Sequence, residues 1–359
     1  MAVIAPPEGV DDHPPLLEPS QLGTKEYWES FYDNSLSHLS SKRRNRGKCQ
    51  GQIGGEGEAN DRDEGADAEE QEAAEDQGEG ADDYDNDRDE DDDDDDDDDD
   101  PGTSWFTEHN APEKVMRFLT SQSFPLAPCN NTQSQSQSQP KILDLGTGNG
   151  SMLALLRDEG GFTGGQLVGV DYSPKSIELA RRLHESSSPS AAQDEADTTP
   201  PAIRFEVWDI FDKRAVQDLD WFPATQGGFD IVLDKGTFDA ISLSAEEIVD
   251  ESAVGKTGGG GGGENVDMKG SRTVQKRVCE SYPGIVRGLV RKGGFLVVTS
   301  CNWTEEELIR WFTRREEGEG REQGDRLVVW DRVEYPKFRF GGQEGQGVCT
   351  VCFRRVSGS

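Results

Sequence analysis

Long apolar runs are missing from this chain. No stretch of about 18 apolar residues occurs, so no membrane-spanning helix is expected. The opening MAVIAPPEGVDDHPPLLEPS lacks a basic start and a continuous apolar core, and no secretory leader is expected. Cysteine is sparse, six residues in 359, and scattered, which argues against a disulfide framework and for a reducing compartment. Cys349 and Cys352 form a CxxC, but GVCTVCF alternates like a strand and has no second cysteine pair or nearby histidine. The pair reads as core packing, and no metal site is expected. Without secretion, the sequons NNT and NWT carry no meaning. Basic residues interleaved with aromatics are also missing, so no direct nucleic-acid binding is expected.

Acid is what the chain has in excess, and it is unevenly placed. The formal net charge is -35. Glu56 to Asp100 holds 28 acids against only Arg62 and Arg88, so it accounts for 26 of those charges. The remainder is an ordinary, mildly acidic domain. The stretch includes the unbroken run Asp91 to Asp100, whose carboxylates repel and which offers almost no apolar surface to offset ordering entropy. A disordered, solvated spacer is expected, with a docking arm for a basic partner as the sharper alternative. The neighbouring KRRNRGK reads as a solvated loop, or alternatively as a nuclear signal.

Low-complexity stretches separate periodic segments, as surface loop expansions do. They include NNTQSQSQSQ, ESSSPSAAQDEADTTPP, the run Gly258 to Gly263 and REEGEGREQGD. Between them strands and helices alternate. KILDL, QLVGVD, IRFEVWDI, FDIVLD and the almost continuously apolar GGFLVVTS read as five strands. SMLALLRDEG follows the first. SPKSIELARRLH follows the second, with Ser173 at the N-cap and Pro174 behind it. Capping boxes at Ser244/Glu247 and Thr304/Glu307 predict two further helices. TVQKRVCESYPGIVRGLV predicts a helix kinked or broken at Pro283. VEYPKFRF and GVCTVCF predict two closing antiparallel strands. The alternation predicts an α/β fold: a Rossmann-like, seven-stranded, mostly parallel sheet with helices on both faces, interrupted by disordered inserts.

In such sheets ligands bind beyond the carboxyl ends of the strands, and KILDLGTGNG supplies a glycine turn there. Its glycines, Gly146, Gly148 and Gly150, miss the GxGxxG spacing of a dinucleotide site by one residue. Asp144 would repel a pyrophosphate but suits a cationic amino group, so the loop favours an amino-acid-bearing nucleoside. Asp171 ends the second strand, where a carboxylate can take both ribose hydroxyls. Asp209 follows the third, placed to accept from an adenine amino group, with Ile210 beside it as a packing surface. Asp234 ends the fourth. One such acid is more often a cap or turn residue; four in order point to a site.

LDLGTGNG, VGVDYS, WDI and DKGTFDA resemble the successive motifs of class I S-adenosylmethionine-dependent methyltransferases. GTKEYWESFY, Trp105 with Phe106, DKGTFDAISLS, TSCNWTEEEL and FRFGG are closer still to the eukaryotic protein-lysine methyltransferases acting on translation elongation factor 1-alpha. The resemblance spans about Gly23 to Phe353 outside the inserts. It implies S-adenosyl-L-methionine as cofactor: Asp144, Gly146, Gly148 and Gly150 around its methionine part, Asp171 at the ribose, Asp209 with Ile210 at the adenine, and Tyr172 and Trp28 as further cofactor-binding residues. It also implies an N-terminal helix, with Trp28 and Tyr32, closing over the site. Asp234 is the expected catalytic residue, orienting the amine, with a structural or cofactor-contact role as the alternative, and Phe238 and Trp303 could supply an aromatic wall for a cation.

The implied organisation is a disordered tail over 1–20, the closing helix over 21–40, the acidic insert over 41–104 and the catalytic domain over 105–359. Flexible loops are expected near 185–201, 251–270 and 315–326. A loop with adjacent ends adds only a slowly growing closure penalty, so the helix is expected to dock despite the insert. The implied partner is elongation factor 1-alpha as protein substrate, and the expected state is a cytoplasmic, possibly also nuclear, monomer with no membrane association. A small-molecule or other-protein methyltransferase, and a non-catalytic scaffold of the same fold, are the rival readings. An adenine amino-methyltransferase would carry Asn/Asp-Pro-Pro-aromatic where this chain has DKGT.

Overall fold

The computed structural model describes residues 14–50, 106, 108–131, 139–184, 202–212, 214–250, 274–314, 324–340, 343–345 and 347–357. The acidic run, Trp105, the loops expected at 185–201 and 251–270, and most of that at 315–326 lie outside the described residues.

After a short turn at Gln21–Gly23 comes α1 (Lys25–Gln50), then α2 (Ala111–Thr120) and α3 (Pro128–Asn131). The alternating part is β1 (Ile142–Leu145), α4 (Ser151–Asp158), β2 (Leu167–Asp171), α5 (Pro174–His184), β3 (Arg204–Val207), β4 (Phe229–Lys235) and α6 (Thr237–Ser242). β5 (Glu247–Asp250) and β6 (Val274–Arg277) precede α7 (Val278–Leu289), β7 (Val290–Ser300) and α8 (Glu305–Thr313). β8 (Arg326–Val333), β9 (Phe338–Phe340), β10 (Gln343–Gly345) and β11 (Cys349–Val356) complete the chain.

Seven strands form one sheet in the order β3-β2-β1-β4-β7-β11-β8. β1 pairs in parallel with β2 and β4, as β2 does with β3 and β4 with β7. Only β11 reverses, running antiparallel to both neighbours. The expected fold class is the one observed. Strand alternation explains the two-sided core, because successive side chains leave opposite faces. Leu143, Leu145, Val232, Leu296 and Val298 pack on one face against Phe238, Tyr282, Val286, Leu308 and Phe312 of α6, α7 and α8. Ile142, Ile231, Leu233, Phe295 and Val297 pack on the other against Val115, Leu119, Leu153, Leu156 and Ile177 of α2, α4 and α5. Cys349 and Cys352 are buried as core residues and belong to these opposite faces, so they cannot share a metal.

The expected caps of α5 and α8 are present. Ser176 N donates to Ser173 Oγ at 3.2 Å, and Thr304 and Glu307 form a reciprocal box. Elsewhere long-range pairing overrode local pattern. Glu247 starts no helix: it pairs across β5 and β6 with Arg277, while Ser244 Oγ accepts from Glu246 N at 3.2 Å. VQKR is consequently strand before the helix begins, and α7 runs through Pro283 with Val278, Tyr282, Val286 and Leu289 on its buried side. The penultimate sheet strand is RLVVWDRV, beginning at Arg326 inside the expected loop. VEYPKFRF contains Pro336, which cannot donate to a ladder, and its Phe338–Phe340 pairs only with β10.

α1 extends past the boundary expected at residue 40, and the KRRNRGK backbone is helical, not a loop. Its N-terminal half docks on α5 as expected: Tyr32 and Leu36 bury against Leu179, flanked by Trp28, Phe31, Leu39 and Leu183. Each such apolar side chain contributes about 1.5–3 kcal/mol when fully buried. The entering segment is clamped as well. Ser20 N donates to Leu243 O at 3.0 Å, and a Cβ at Gly23 would sit 2.2 Å from Leu243. The Arg277 guanidinium donates to the carbonyls of Leu17, Ser242 and Ser244. The helix is thereby held over the carboxyl ends of β1 and β2.

Candidate active site

The strand order reverses between β1 and β4, so the sheet's switch point lies there. Leu145 pairs with Asp234, bringing the GTGNG turn and the KGT turn together. The fit is tight enough to require Gly146. Its φ is +58°, and a Cβ would lie 2.2 Å from Thr237 Oγ1, the hydroxyl that donates to Leu145 O at 2.6 Å. Gly148, also at φ +58°, faces Tyr32 of α1, whose hydroxyl would be 3.0 Å from a Cβ there. Gly150 serves differently: it is buried at the N-cap of α4, against the Phe205 ring, and packs the helix onto the sheet.

Around this cradle stand the four acids. Asp144 is 2% exposed, and its Oδ2 accepts from Thr147 Oγ1 at 2.7 Å. Burial pushes its carboxyl up to about 6, opposed by the Thr147 hydroxyl and the Lys235 charge. Asp171 is buried at the end of β2, accepting from Gly148 N at 3.1 Å and Ser173 N at 2.9 Å. Burial raises its pKa above the usual carboxylate range. Tyr172 donates to Thr24 O at 3.4 Å, and the Lys25 ammonium lies 5.4 Å from its ring centre. Trp208 N donates to Asp171 O at 2.9 Å, which places Asp209 at the same end of the sheet. The Asp209 side chain is exposed and accepts from Phe211 N at 2.9 Å, while Ile210 packs half-buried on the core. Trp28 donates its indole N–H to Leu22 O at 2.8 Å and stacks on Tyr32, centroids 6.1 Å apart.

Asp234 is 1% exposed and heavily engaged. Its Oδ1 accepts from Thr237 N at 2.9 Å and Phe238 N at 3.1 Å, so it caps α6; its Oδ2 accepts from Tyr282 Oη at 2.7 Å. Burial pushes it up to about 7, against the pull of Tyr282 and the two amides. A carboxylate has about four lone-pair sites, so one on Oδ2 remains.

One expected element is not where the residue types suggested. Phe238 and Trp303 are 1% and 4% exposed and stack on each other in the core at 5.9 Å, with Trp311 and Phe312 around them. They form no wall for a ligand. Among the described residues, the aromatic ring beside the KGT turn is Phe106, 2.6 Å from where a Gly236 Cβ would stand, with the Lys235 ammonium 5.5 Å from its centre. Burial lowers the Lys235 pKa, against the attraction of Asp144 and Asp234. Lys235 lies inside the DKGT motif and was open to reading. Tyr282 was not, because nothing in CESYPG marks it as the partner of an acid 48 residues earlier.

These groups fit an amino-acid nucleoside and not a phosphate. A phosphate would meet Asp144, Asp171 and Asp209 together, whereas a cationic amine, ribose hydroxyls and an adenine amino group each bring donors to them. A Rossmann-like sheet with this cradle defines an S-adenosylmethionine-dependent methyltransferase of class I. A family model described as a methyltransferase domain matches residues 136–330. "Protein-lysine N-methyltransferase EFM4" of Saccharomyces cerevisiae is 32% identical over 70% of this chain and 82% of its own length. The Schizosaccharomyces pombe protein of that name is 30% identical over 94% of this chain and 95% of its own. Human "EEF1A lysine methyltransferase 2" is 27% identical over 71% and 77% respectively. The chain belongs to the S-adenosylmethionine-dependent protein-lysine N-methyltransferase family of these proteins.

Proposed function

We propose that the chain methylates a lysine ε-amino group of translation elongation factor 1-alpha. The observation that carries this reading is sustained similarity to protein-lysine N-methyltransferases, covering 94% of the chain in one case, together with relatives named for EEF1A. Bound S-adenosylmethionine supplies an electrophilic methyl group on a sulfonium. The chain must therefore hold a neutral amine in line and exclude water. A free lysine has a pKa of about 10.4 and arrives protonated. Asp234, at the end of β4, orients the amine through its remaining lone pair while its other contacts keep the KGT turn in place. Trp28 and Tyr32 on α1 keep water from the β1–β2 side.

The test is methyl transfer from radiolabelled S-adenosylmethionine to purified elongation factor 1-alpha, with Asp144→Ala as control. Label in the factor that vanishes in the control is expected. Cofactor binding without label would return the substrate to another protein or a small molecule.

We further propose that the enzyme is a cytoplasmic monomer, with the nucleus as an alternative location. The acidic stretch steers it toward a basic partner through long-range attraction. Deleting Glu56 to Asp100 is expected to lower the association rate with the factor more at low salt than at high salt, measured by stopped flow. A rate that the deletion leaves unchanged at both salts would remove the steering role.

A further inference from the structure

α1 presents one face to the cradle, and two contacts fix where that face lies. At its first turn, Lys25 sits over the Tyr172 ring at 5.4 Å, and Thr24 O accepts from the Tyr172 hydroxyl at 3.4 Å. Two turns on, the Tyr32 hydroxyl meets Gly148, 3.0 Å from where a Cβ would stand. Glu29 lies between them, four residues after Lys25 and three before Tyr32, so all three share that face. Its carboxylate is therefore directed at the junction of Gly148 with Asp171 and Tyr172. The electrostatics agree, since the Glu29 charge acts on both Asp171 and Tyr172.

Glu29 Oε1 is buried and has no hydrogen-bond partner. A carboxylate oxygen in that condition, beside a second carboxylate, is costly unless a donor reaches it. Several nearby donors among the described residues are committed elsewhere. The Tyr172 hydroxyl goes to Thr24 O, the Trp28 indole N–H to Leu22 O and the Lys175 ammonium to Asp33 at 2.8 Å. Gly148 N and Ser173 N go to Asp171. The missing donor is not supplied by these groups, and the ligand expected at Asp171 carries hydroxyls.

We propose that Glu29 is a further cofactor-binding residue, whose Oε1 accepts a hydrogen bond from a ribose hydroxyl of S-adenosylmethionine as a second carboxylate beside Asp171. The proposal rests on the cofactor reading of the cradle. It also gives α1 a chemical role: the helix contributes an acceptor to the ligand as well as covering it, so cofactor occupancy and helix docking stabilise each other.

The experiment is calorimetric titration of the full chain with S-adenosylhomocysteine and with its 2′-deoxy and 3′-deoxy analogues. Wild type, Glu29→Gln and Glu29→Leu are compared. Losing a hydrogen bond to a buried charged acceptor weakens binding about tenfold or more. Glu29→Leu is expected to lose that much for S-adenosylhomocysteine, and Glu29→Gln, which still accepts, to lose less. For one deoxy analogue the leucine variant should match wild type within about twofold, because the hydroxyl that Glu29 holds is already gone. Hydrogen exchange of the α1 amides, measured without ligand, shows whether the helix stays docked in each variant. Wild-type affinity in Glu29→Leu, or equal losses for all three ligands, would overturn the proposal. Failure of the wild type to bind S-adenosylhomocysteine would remove the cofactor reading together with it.

Discussion

Asp234→Ala is expected to unfold more readily and to lose methyl transfer, whereas Asp234→Asn should stay folded and still lose transfer. Alanine leaves Thr237 N, Phe238 N and the Tyr282 hydroxyl without their acceptor inside a core where Tyr282 and Phe238 are buried. Stranding buried donors of this kind costs on the order of 3–5 kcal/mol. Asparagine keeps an oxygen for the two amides, and its amino group can donate to a reoriented Tyr282 hydroxyl. A fall of about 100-fold in kcat with cofactor affinity kept is the expected signature of a group that meets the amine. Wild-type kcat in the asparagine variant would reduce Asp234 to a cap of α6.

Wild type and Asp234→Asn should also differ in pH dependence. Burial raises the Asp234 pKa to about 7 in the fold, from an ordinary value near 4 when unfolded. Between those values the folded state binds more protons, so its stability falls as pH rises through that window. The penalty is absent below about 4 and complete above about 7. Relative to wild type, Asp234→Asn should therefore gain on the order of 2 kcal/mol between pH 5 and pH 8, read from urea midpoints at the two pH values. An unchanged difference would mean that Asp234 titrates like an exposed acid.

Asp144→Ala should weaken cofactor binding at least about 30-fold while leaving the fold intact. The carboxylate is buried at the end of β1 with one neutral donor, Thr147 Oγ1 at 2.7 Å, and a cationic amine is the partner that its charge favours. Removing one member of a buried charge-assisted pair costs about 2–5 kcal/mol, or at least 30-fold in affinity. Because burial holds the carboxyl near 6, wild-type affinity for S-adenosylhomocysteine should rise from pH 5 to pH 7 as the acid ionises. Asp144→Asn should bind weakly with that step missing. Titrations over this range in two buffers of different ionisation enthalpy would also register the proton released. A flat wild-type profile would place the amino group away from Asp144.

Much of the fold and cradle was legible because the signals are local. Ile142 to Leu145 and Phe295 to Val298 read as buried strands because both faces of the sheet are covered. Gly146 and Gly148 read as turn residues, and their left-handed φ of +58° bears that out. Ser173 and Thr304 read as caps because their partners lie three residues away. The misread elements share the opposite property. Ser244 and Glu247 had the spacing of a cap, but cross-strand pairing of Glu247 with Arg277 prevailed. VEYPKFRF had the composition of a strand, but Pro336 broke it and the partner edge of β11 went to RLVVWDRV.

The tertiary structure alone assigned roles within the motifs. Phe238 and Trp303 carried the chemistry of a cation wall in sequence, yet packing put both inside the core and set Phe106 beside Lys235. The tie from Tyr282 to Asp234 and the seating of Tyr32 on Gly148 join residues 48 and 116 positions apart. Where β1 to β4 and β7 lie, and where the glycines and acids fall, is written in short-range sterics and alternation, and a linear reading recovers it. Which acid is capped, which is left with an open lone pair, and which helix face meets the ligand depend on how separate loops abut at the switch point. Those distances come into being only when the two faces of the sheet are packed.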